Sequence, residues 1–490
     1  MSVQAGHEAE TRSLKREFSF VSTLALAFAF ISPIVALYSV LGLGLTSAGP
    51  AFWWGFAIVL GGQMLVALVF GELGSRWPLV GGTYQWARRL LGPTYGWCAG
   101  WAYMWTFIIV MAAVAYIASG YLADLVGFDD PSNGTLVLLA IVILVVATLC
   151  NIVGRSLLKV VVAISITAEI LASLVIGTVL LLFHRENSIS TIFDSMGTGG
   201  DSGAYVFSAG FIAAVAYIGW SFQGFESAGA VAEETKDPER AVPRAIVLSM
   251  LLVGLVVMYA GLALILAMPD LEAVVTGTIA DPVQETLAFQ FGDWIVNPFL
   301  CLIVLGFTAS LIAIQASVSR TVFSQARHDV IPGARWLKRL SAKQALPVNA
   351  IITTTTLAAC VFPLTGSNIY VTLVSIGTAG FYVAISFPTV GALICRRRAG
   401  WKTGPFSLGG LGLIINIAAV IWLAFETINI SWPRTPDAPW YENYGTLLML
   451  GIVTVLGLIA YAIVRDRVRD DTDTPGHPVI TSEAERAVSV

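Results

Sequence analysis

Residues 246–268 read IVLSMLLVGLVVMYAGLALILAM, a run of 23 residues without one charged side chain. A transmembrane helix needs about 20 mostly apolar residues to cross ~30 Å of hydrocarbon, whereas a membrane barrel strand shows roughly 10 residues of alternating polarity. Long continuous runs recur at 136–150 and 447–464. Because a single backbone segment in lipid satisfies its own hydrogen bonds only as a helix, these runs predict an all-α membrane protein.

The composition of the whole chain agrees with that prediction. Of 490 residues, 57% are apolar and only 12% are charged, and the mean hydropathy is +0.80. Soluble domains carry about 25% charged residues, so the surface of this chain cannot be mostly wet. The net charge of −4 also offers no basic surface for phosphate. These values exclude a soluble enzyme, a disordered protein and a nucleic-acid binder.

The hydrophobic pattern predicts twelve membrane spans, which we number span 1 to span 12. They are expected near residues 20–45, 51–74, 95–123, 135–153, 158–183, 205–232, 243–268, 294–325, 348–363, 368–394, 406–430 and 443–464. The polar segment 1–17 does not resemble a cleaved signal peptide, which has a basic start and a short apolar core. Span 1 is therefore expected to stay in the protein.

The basic residues predict the orientation of these spans. If the N-terminus lies in the cytoplasm, 25 of the 27 Lys and Arg residues fall on the cytoplasmic side, and only Arg185 and Arg434 fall outside. Cytoplasmic loops of membrane proteins are enriched in Lys and Arg in this way. The pattern predicts both termini in the cytoplasm, in the plasma (cell inner) membrane. In the outer loop between spans 7 and 8, residues 282–291 are predicted to form a short interfacial helix.

The cysteines and histidines do not form a pattern typical of a metal, cofactor or disulfide site. The five cysteines lie in or at the ends of apolar spans without CxxC spacing, which is typical of small core residues. The four histidines fall in loops or tails. The sequence also lacks Ser/His/Asp, HExxH and Gly-rich phosphate motifs. We therefore predict no metal, no cofactor and no enzymatic activity.

Two spans contain helix-breaking residues. Span 1 carries Ser32-Pro33 at its middle, and proline lacks the N–H that the carbonyl four residues earlier would bind. At membrane depth, such a freed group is tolerated only where it is buried in protein or lines a cavity. A simple proline kink remains the alternative for this feature taken alone.

Span 6 reads IGWSFQGFE at residues 218–226, with two glycines five residues apart and three polar side chains. Glycine weakens a helix by about 1 kcal/mol relative to alanine, although small residues also serve close helix packing. Spans 1 and 6 are five helices apart and therefore run in opposite directions. Interrupted helices at matching positions of two inverted halves are typical of secondary transporters with a substrate site near the bilayer midplane.

The two breaks form the predicted substrate site. Half-helix N-termini present N–H groups that suit an anionic group, and we expect the backbone at 32–34 to contact the carboxylate of a substrate. The predicted substrate-binding residues are Ile31, Ser32, Pro33, Ile34, Gly219, Trp220, Ser221, Gln223 and Gly224.

Three stretches resemble the amino acid–polyamine–organocation (APC) superfamily. They are Gly224-Phe225-Glu226 followed by Glu233-Glu234, Pro238 and Pro243, the loop GELGSRWPLVGGTYQW at 71–86, and the stretch from Ser319 to Pro332. Ser32-Pro33-Ile34 is most similar to the amino acid/choline transporter branch. The resemblance covers about residues 18–465.

The resemblance implies the LeuT-like fold, a five-plus-five inverted repeat of helices followed by two further helices. It implies a transport core at 18–400, helices 11 and 12 at 401–465, and cytoplasmic tails at 1–17 and 466–490. It also implies an α-amino or amine substrate held between spans 1, 3, 6, 8 and 10, with Trp220 as a lid. The candidate cavity-lining residues of span 3 are Trp101, Tyr103 and Trp105, and only one face of that helix can line the cavity.

Two acids in the membrane are candidates for proton coupling. Glu169 lies in the middle of span 5, where a charge costs roughly 2.5–3.5 kcal/mol, and Glu226 follows the break in span 6. A buried carboxyl can bind and release a proton near neutral pH. By the resemblance, Glu169 falls where some proton-coupled members carry a lysine, and Glu226 falls where a glutamate is implicated in the pH response. A sodium ion or a cationic substrate is the alternative ligand for Glu169, and a structural acceptor is the alternative role for Glu226.

The remaining acids favour structural roles. Glu72 ends span 2 near Arg76, which predicts an interfacial ion pair. Together with Lys236, Glu233 and Glu234 are interpreted as an inner-gate or capping cluster. The sequence assigns no role to Glu426 in span 11.

The leading prediction is a secondary active transporter that moves amino acids or related amines by alternating access with a proton as the coupling ion. The alternative is a sodium-coupled or exchange-type transporter of choline-like or polyamine-like cations. A channel is less favoured, because the two breaks differ in sequence and no filter motif is repeated. The predicted partners are a small-molecule substrate, a proton or sodium ion and the lipid bilayer, and the oligomeric state is left open.

Overall fold

The computed structural model describes residues 18–128, 130–198, 208–279, 281–341, 345–364, 369–397, 401–434 and 439–469. Within these ranges every regular element is a helix, and one isolated β-bridge joins Phe18 to Thr235. The all-α prediction is confirmed. The predicted tail at 1–17 and most of the tail at 466–490 lie outside the described residues.

The twelve predicted spans all correspond to helical segments in the described ranges. Ten are long and apolar enough to cross a membrane: Phe20–Tyr38, Pro50–Arg76, Pro93–Leu125, Asn133–Val153, Val160–Phe183, Pro238–Ala267, Asp293–Arg327, Ile369–Arg396, Gly409–Ser431 and Gly445–Val468. These are spans 1 to 5, 7, 8 and 10 to 12. Span 9 is the shorter apolar helix Val348–Ala359.

The two spans that carry breaking residues are both divided. Span 1 consists of helix 1a, Phe20–Ile31, and helix 1b, Pro33–Tyr38. Span 6 consists of helix 6a, Ala209–Ile218, a tighter turn at Gly219–Phe222, and the short helix 6b, Ser227–Ala230. Both interruptions fall where the sequence predicts them.

Local sequence signals set several helix starts. Ser19, Ser132 and Ser208 precede spans 1, 4 and 6, and each side-chain oxygen accepts a hydrogen bond from the N–H three residues later. Such a cap satisfies one of the N–H groups that a helix start leaves without a partner. Pro93 and Pro238 are the first residues of spans 3 and 7, where the missing N–H is not needed.

Span 3 lies at the centre of the bundle. It is the most deeply buried of the ten long spans, whereas span 12 is the most exposed. Spans 8 and 10 pack along span 3, span 7 packs against span 2, and helix 1a contacts spans 7 and 8. Span 11 packs on spans 10 and 2, outside this core. The breaks in spans 1 and 6 therefore lie inside protein, where freed backbone groups are tolerated.

The loop between spans 7 and 8 covers one end of the bundle, which we call the loop end. It forms two short helices, Leu271–Val275 and Pro282–Phe291, and the second has the predicted bounds. Asp281 caps the second helix by accepting the N–H groups of Val283 and Gln284, both at 3.0 Å. The opposite end, which we call the basic end, carries Arg320 and Arg396 near the ends of spans 8 and 10.

Candidate functional site

Span 1 breaks at Ser32. This residue has a φ of +52°, and such a conformation costs a non-glycine residue of order 1–3 kcal/mol and is concentrated at functional sites. Its hydroxyl caps helix 1b by accepting the N–H of Val35 at 3.2 Å. From span 8, the hydroxyl of Ser310 donates to the carbonyl of Phe30 at 2.8 Å. The break is therefore held open by side chains on both of its sides.

A carboxylate from span 5 occupies this break. Glu169 Oε2 accepts the N–H of Ile34 at 2.8 Å, and Glu169 Oε1 accepts the hydroxyl of Ser32. The glutamate is only 1% exposed. A helix start is a favourable place for a carboxylate, because its N–H groups carry a partial positive charge. The predicted contact between this backbone and a substrate carboxylate stays a prediction, and in this structure Glu169 takes that position.

Span 5 changes its winding directly after Glu169. The α-helix ends at Glu169, a wider π-type segment covers Ile170–Val175, and the α-helix resumes at Ile176. Such segments are rare and are frequent at functional sites. The sequence did not predict this feature, because Ile170–Val175 is an ordinary apolar run.

Span 6 opens between its two glycines. Gln223 is extended, and Gly224 has a φ of +95°, which glycine adopts without the strain that a Cβ would add. A Cβ on Gly224 would lie 2.0 Å from the ring of Phe30, and one on Gly219 would lie 2.4 Å from the hydroxyl of Tyr382. Both glycines are therefore required by the close approach of a neighbouring side chain.

The two breaks contact each other. The hydroxyl of Ser221 donates to the carbonyl of Ala36 in helix 1b at 2.5 Å, and Gly224 lies against Phe30 of helix 1a. The nine predicted substrate-binding residues are all buried: Ile31, Ser32, Pro33, Ile34, Gly219, Trp220, Ser221, Gln223 and Gly224. The structure thus brings together residues that lie about 190 positions apart in the chain.

Glu226 extends the site to spans 3 and 8. Its Oε1 accepts the hydroxyl of Tyr103 at 3.0 Å, and that hydroxyl lies 3.3 Å from the hydroxyl of Ser317. The glutamate is 2% exposed, and its Oε2 has no hydrogen-bond partner within the described residues. A buried acceptor without a partner costs about 1–3 kcal/mol, so its position needs an explanation.

Span 3 presents one of its three candidate aromatic residues to the site. Tyr103 contacts Glu226, whereas the indole N–H of Trp101 donates to the carbonyl of Val453 in span 12 at 2.9 Å. Trp105 lines a separate cavity between spans 3, 10 and 12. The expectation that only one face of span 3 lines the site is consistent with this arrangement.

Span 10 closes the site beside the break in span 6. Gln223 Nε2 donates to Thr378 Oγ1 at 3.1 Å. A Cβ on Gly377 would lie 3.1 Å from the ring of Trp220 and 3.0 Å from Val110 of span 3. Trp220 is therefore packed between spans 3, 6 and 10. Within the described residues, neither the Trp220 indole N–H nor Gln223 Oε1 has a hydrogen-bond partner.

Aromatic rings from four spans surround these polar groups. Phe30 and Phe107 pack edge to face with centroids 5.2 Å apart, and Phe381 lies 6.0 Å from both Phe107 and Phe225. Edge-to-face packing points the positive edge of one ring at the negative face of another. The site is therefore a small polar group of atoms inside apolar walls.

Sequence reasoning missed the polar contributions of spans 8 and 10. Ser310, Ser317 and Thr378 are single hydroxyl residues within apolar helices, and each is buried. A hydroxyl in a helix commonly bonds to the carbonyl four residues earlier, as Thr378 also does with Val374 at 2.7 Å. No local pattern separates these three residues from other buried serines and threonines.

Comparisons with known proteins point to one family of membrane proteins. The family model for amino acid permeases matches residues 18–474. The chain is 23% identical to the amino-acid permease BAT1 of Arabidopsis thaliana, covering 91% of each protein. It is 26% identical to the branched-chain amino acid permease BcaP of Bacillus subtilis, covering 86% of this chain and 89% of the relative. It is 25% identical to a choline transporter of Saccharomyces cerevisiae, covering 92% and 81%.

The chain belongs to the amino acid permease family. The resemblance to the APC superfamily is thereby confirmed, and the twelve spans fit a family of multi-span membrane proteins. The protein is a membrane transporter and not an enzyme.

The permease is sealed at its basic end by buried contacts. Arg320 Nε donates to Glu234 Oε1 at 2.5 Å, with both side chains almost fully buried. Phe18 is bonded on both sides, because its N–H donates to the carbonyl of Glu234 at 2.9 Å and its carbonyl accepts the N–H of Lys236 at 2.8 Å. These bonds tie the start of span 1 to the exit of span 6 and to span 8, as an inner gate would.

The expected partner of Glu72 in the permease is wrong. Glu72 does not pair with Arg76 at a surface; it is 1% exposed and forms an ion pair with Arg396 of span 10. Arg76 instead stacks over Trp77, with its guanidinium carbon 4.1 Å from the ring centroid. The pairing of spans 2 and 10 brings Arg396 to Glu72, and this long-range proximity is not visible in the sequence.

Glu426 of the permease is buried at the side of the site. It lies beside Tyr382 and Asn429, and the hydroxyl of Tyr382 approaches Gly219 at the break of span 6. Glu426 is therefore one side chain away from the break, and within the described residues it forms no hydrogen bond with span 1.

The loop end of the permease contains a cavity of about 460 Å³. It lies between helix 1b, span 3, span 10 and the helix Pro282–Phe291, and its lining includes Tyr38, Tyr121 and Tyr370. Tyr38 is the last residue of helix 1b, so this cavity reaches the helix that starts at the break in span 1. The basic end is thus packed with paired side chains, while the loop end holds open space.

Proposed function

We propose that the permease is a secondary active transporter that moves an amino acid or a related amine across the plasma membrane together with a proton. The names of the relatives, two amino acid permeases and a choline transporter, support this substrate range. In this proposal the basic end faces the cytoplasm and the loop end faces outward, as the distribution of Lys and Arg predicts.

One observation carries the proposal. Each of the two helix breaks holds one buried glutamate. Glu169 of span 5 lies at the break in span 1, and Glu226 lies at the break in span 6. None of the ion pairs within the described residues involves either of them. Ionisable side chains at membrane depth without a fixed counter-charge are expensive, and they mark proton relays and substrate sites. We assign proton coupling to these two glutamates.

Alternating access follows from the difference between the two ends. For inward release, helix 1a must separate from span 8 and from the exit of span 6. This separation breaks the bonds of Phe18 with Glu234 and Lys236 and exposes the pair of Arg320 with Glu234. For outward binding, Trp220 must move from its place against Gly377. Binding energy of the substrate at the breaks would drive the exchange between these two states.

A second candidate is sodium-coupled transport or exchange of a choline-like or polyamine-like cation. It is favoured by the same two acids, which could neutralise a cation, and by the aromatic rings of Trp220 and Phe30, which attract one. Sodium dependence separates the two candidates, because a proton-coupled transporter does not require sodium.

The test is uptake into vesicles reconstituted with the purified protein. A panel of amino acids and amines is offered at pH 5.5 and 7.5, with and without an imposed proton gradient, and with sodium replaced by potassium. We expect accumulation that needs the proton gradient and survives sodium replacement. In Glu226→Gln the rise of uptake with acidity should flatten. Accumulation that collapses without sodium would move the function to the second candidate.

A further inference from the structure

Among the buried side-chain atoms of the span 6 break, those without a hydrogen-bond partner in the described structure are mainly acceptors. At the span 6 break, residues 219–227 contain two buried acceptor atoms without a hydrogen-bond partner in the described structure, Gln223 Oε1 and Glu226 Oε2. The hydroxyl of Ser227, which can donate or accept, and the indole N–H of Trp220 are also unpartnered there. Gln223 and Glu226 are 5% and 2% exposed. A ligand that brings N–H donors would satisfy both acceptors.

The donors of span 1 are already used. The N–H of Ile34 is bound by Glu169, that of Val35 by the hydroxyl of Ser32, and that of Ala36 by the carbonyl of Ser32 at 2.8 Å. Pro33 has no N–H. Among the described side chains, Glu169 is the only charged group that bonds to these donors. Within the described residues, a ligand carboxylate would therefore find neither a free N–H among these three donors nor a positive charge bonded to this break.

The distribution of charged side chains also favours a positively charged ligand over an anionic one. The helices packed against the α-helical part of span 5 and its π-type segment are helix 1a, helix 1b and spans 4, 7 and 8. Apart from Asp293 at the loop-end start of span 8, their described charged side chains are confined to the basic end: Glu239, Arg240, Arg244, Arg320 and Arg327. Two carboxylates placed together in a low-dielectric site repel each other, whereas an ammonium is attracted. The described site is therefore built for positive charge.

We propose that the permease recognises a primary or secondary amine that lacks a carboxylate, with Glu169 holding the position that a substrate carboxylate would otherwise take. This inference rests on the proposed function and narrows its substrate class. The ammonium donates to Glu226 Oε2 and Gln223 Oε1, and Trp220 and Phe30 cover its apolar part. Glu169 is the residue that determines specificity, because it closes the site to anions.

The test compares amino acids with their decarboxylated twins in the wild-type protein. The pairs are leucine and isoamylamine, phenylalanine and phenethylamine, and arginine and agmatine, with choline as a cation that has no N–H on its charged nitrogen. Binding to purified protein is measured by calorimetry and by thermal shift at pH 7.5. We expect one amine to bind at least roughly tenfold more tightly than its amino acid twin and than choline, as buried polar groups left unpaired penalise the wrong ligand.

The variant Glu169→Gln should reverse this preference. It keeps an acceptor for the N–H of Ile34 but removes the negative charge, so the amine should lose affinity and the ratio should move toward the amino acid by roughly tenfold. The matched control is Glu272→Gln, an exposed glutamate in the loop helix Leu271–Val275, which should leave the ratio unchanged. The wild-type comparison needs no variant, so it decides the question even if Glu169→Gln fails to fold.

The binding results distinguish failure of the proposed transport function from failure of the amine preference. If no amino acid or amine of the three pairs binds, and choline does not bind either, the proposed function is wrong. If amino acids bind as tightly as their amine twins, the proposed function stands and the present inference is overturned. Tighter binding of choline than of every primary amine would also overturn it, because choline cannot satisfy the two acceptors.

Discussion

The breaks of span 1 and span 6 face each other, but they satisfy their freed polar groups in different ways. In span 1 the N–H groups of Ser32, Ile34, Val35 and Ala36 all have partners inside the protein. In span 6 the break keeps buried atoms without partners within the described residues. At the break in span 1, the protein itself supplies the hydrogen-bond partners of these N–H groups. At the break in span 6, polar side-chain atoms are left that a ligand can bond.

This difference assigns different work to the two halves of the site. An unsatisfied buried polar group destabilises the folded protein by about 1–3 kcal/mol. Its retention indicates that a bound ligand supplies the missing hydrogen bond. Span 1 contributes shape, through Ser32, and it binds one carboxylate from span 5, that of Glu169. Span 6 contributes the contacts. Changes in span 6 should therefore affect ligand affinity more directly than changes in helix 1b.

The largest expected effect comes from closing the span 6 break with a methyl group. In Gly224→Ala the new Cβ would lie 2.0 Å from the ring of Phe30 at a φ of +95°. A non-glycine residue in such a conformation costs of order 1–3 kcal/mol before any clash. We expect a clearly lower melting temperature and a loss of uptake of roughly tenfold or more. Both are measured on purified and reconstituted protein.

The matched control for that variant is Gly61→Ala in span 2. Nothing lies within 4 Å of a Cβ at Gly61, and alanine is the better helix former. It should melt at or above the wild-type temperature and transport normally. If Gly224→Ala behaved in the same way, the close contact between the two breaks would not matter for transport.

The positions of the breaks were predictable, but the groups that complete them were not. Apolar runs and the distribution of Lys and Arg predict the spans, and two glycines with polar neighbours predict the opening of span 6. Proline alone is a weaker signal, because Pro243 and Pro388 lie inside continuous helices. What distinguishes Ser32 is a hydrogen bond to a glutamate 137 residues away.

Pairing across the bundle explains the remaining misses. Glu72 with Arg396, Glu226 with Tyr103 and Gln223 with Thr378 each join spans that are distant in the chain. Periodicity describes one helix at a time, and helix packing allows many partners for one buried acid. The sequence therefore identified these residues as candidates but left the partners of Gln223 and Glu226 open and, for Glu72, predicted the wrong one.

A smaller effect is expected at Trp220, and it sharpens the role of span 6. A ring over an ammonium is worth about 0.5–2 kcal/mol, so Trp220→Ala should weaken amine binding by roughly 2- to 30-fold. Trp220→Phe keeps a ring and should retain part of that affinity. Binding is measured by titration of the same amine into each variant.

The control for Trp220 is Trp105, whose indole N–H also has no partner in the described structure but which lines the cavity toward span 12. Trp105→Phe should leave amine affinity unchanged. Equal affinities for wild type, Trp220→Ala and Trp220→Phe would show that Trp220 is an ordinary core aromatic that does not contact the ligand.

The smallest effect concerns a second carboxylate at a helix start, outside the membrane. Asp281 accepts the N–H groups of Val283 and Gln284, as Glu169 accepts that of Ile34, but it does so as an ordinary cap within one loop. Asp281→Ala should cost about 1 kcal/mol of stability, because the cap is lost. Asp281→Asn keeps an acceptor oxygen and should cost less, which is checked by thermal unfolding of both variants.

The pH dependence of these two variants separates cap from charge. Burial raises the pKa of Asp281 above its usual 3.8, so the folded state holds this proton more tightly than the unfolded state. Between the two pKa values the unfolded state therefore binds fewer protons, and wild-type stability falls as the pH rises through that window. Asparagine does not ionise, so Asp281→Asn should gain on wild type as the pH rises from about 3.8. If Asp281→Asn instead lost as much stability as Asp281→Ala at pH 7, the negative charge itself would be needed at this helix start. Glu169 would then have to be regarded in the same way, as a charge that helix 1b requires for folding rather than one that selects the ligand.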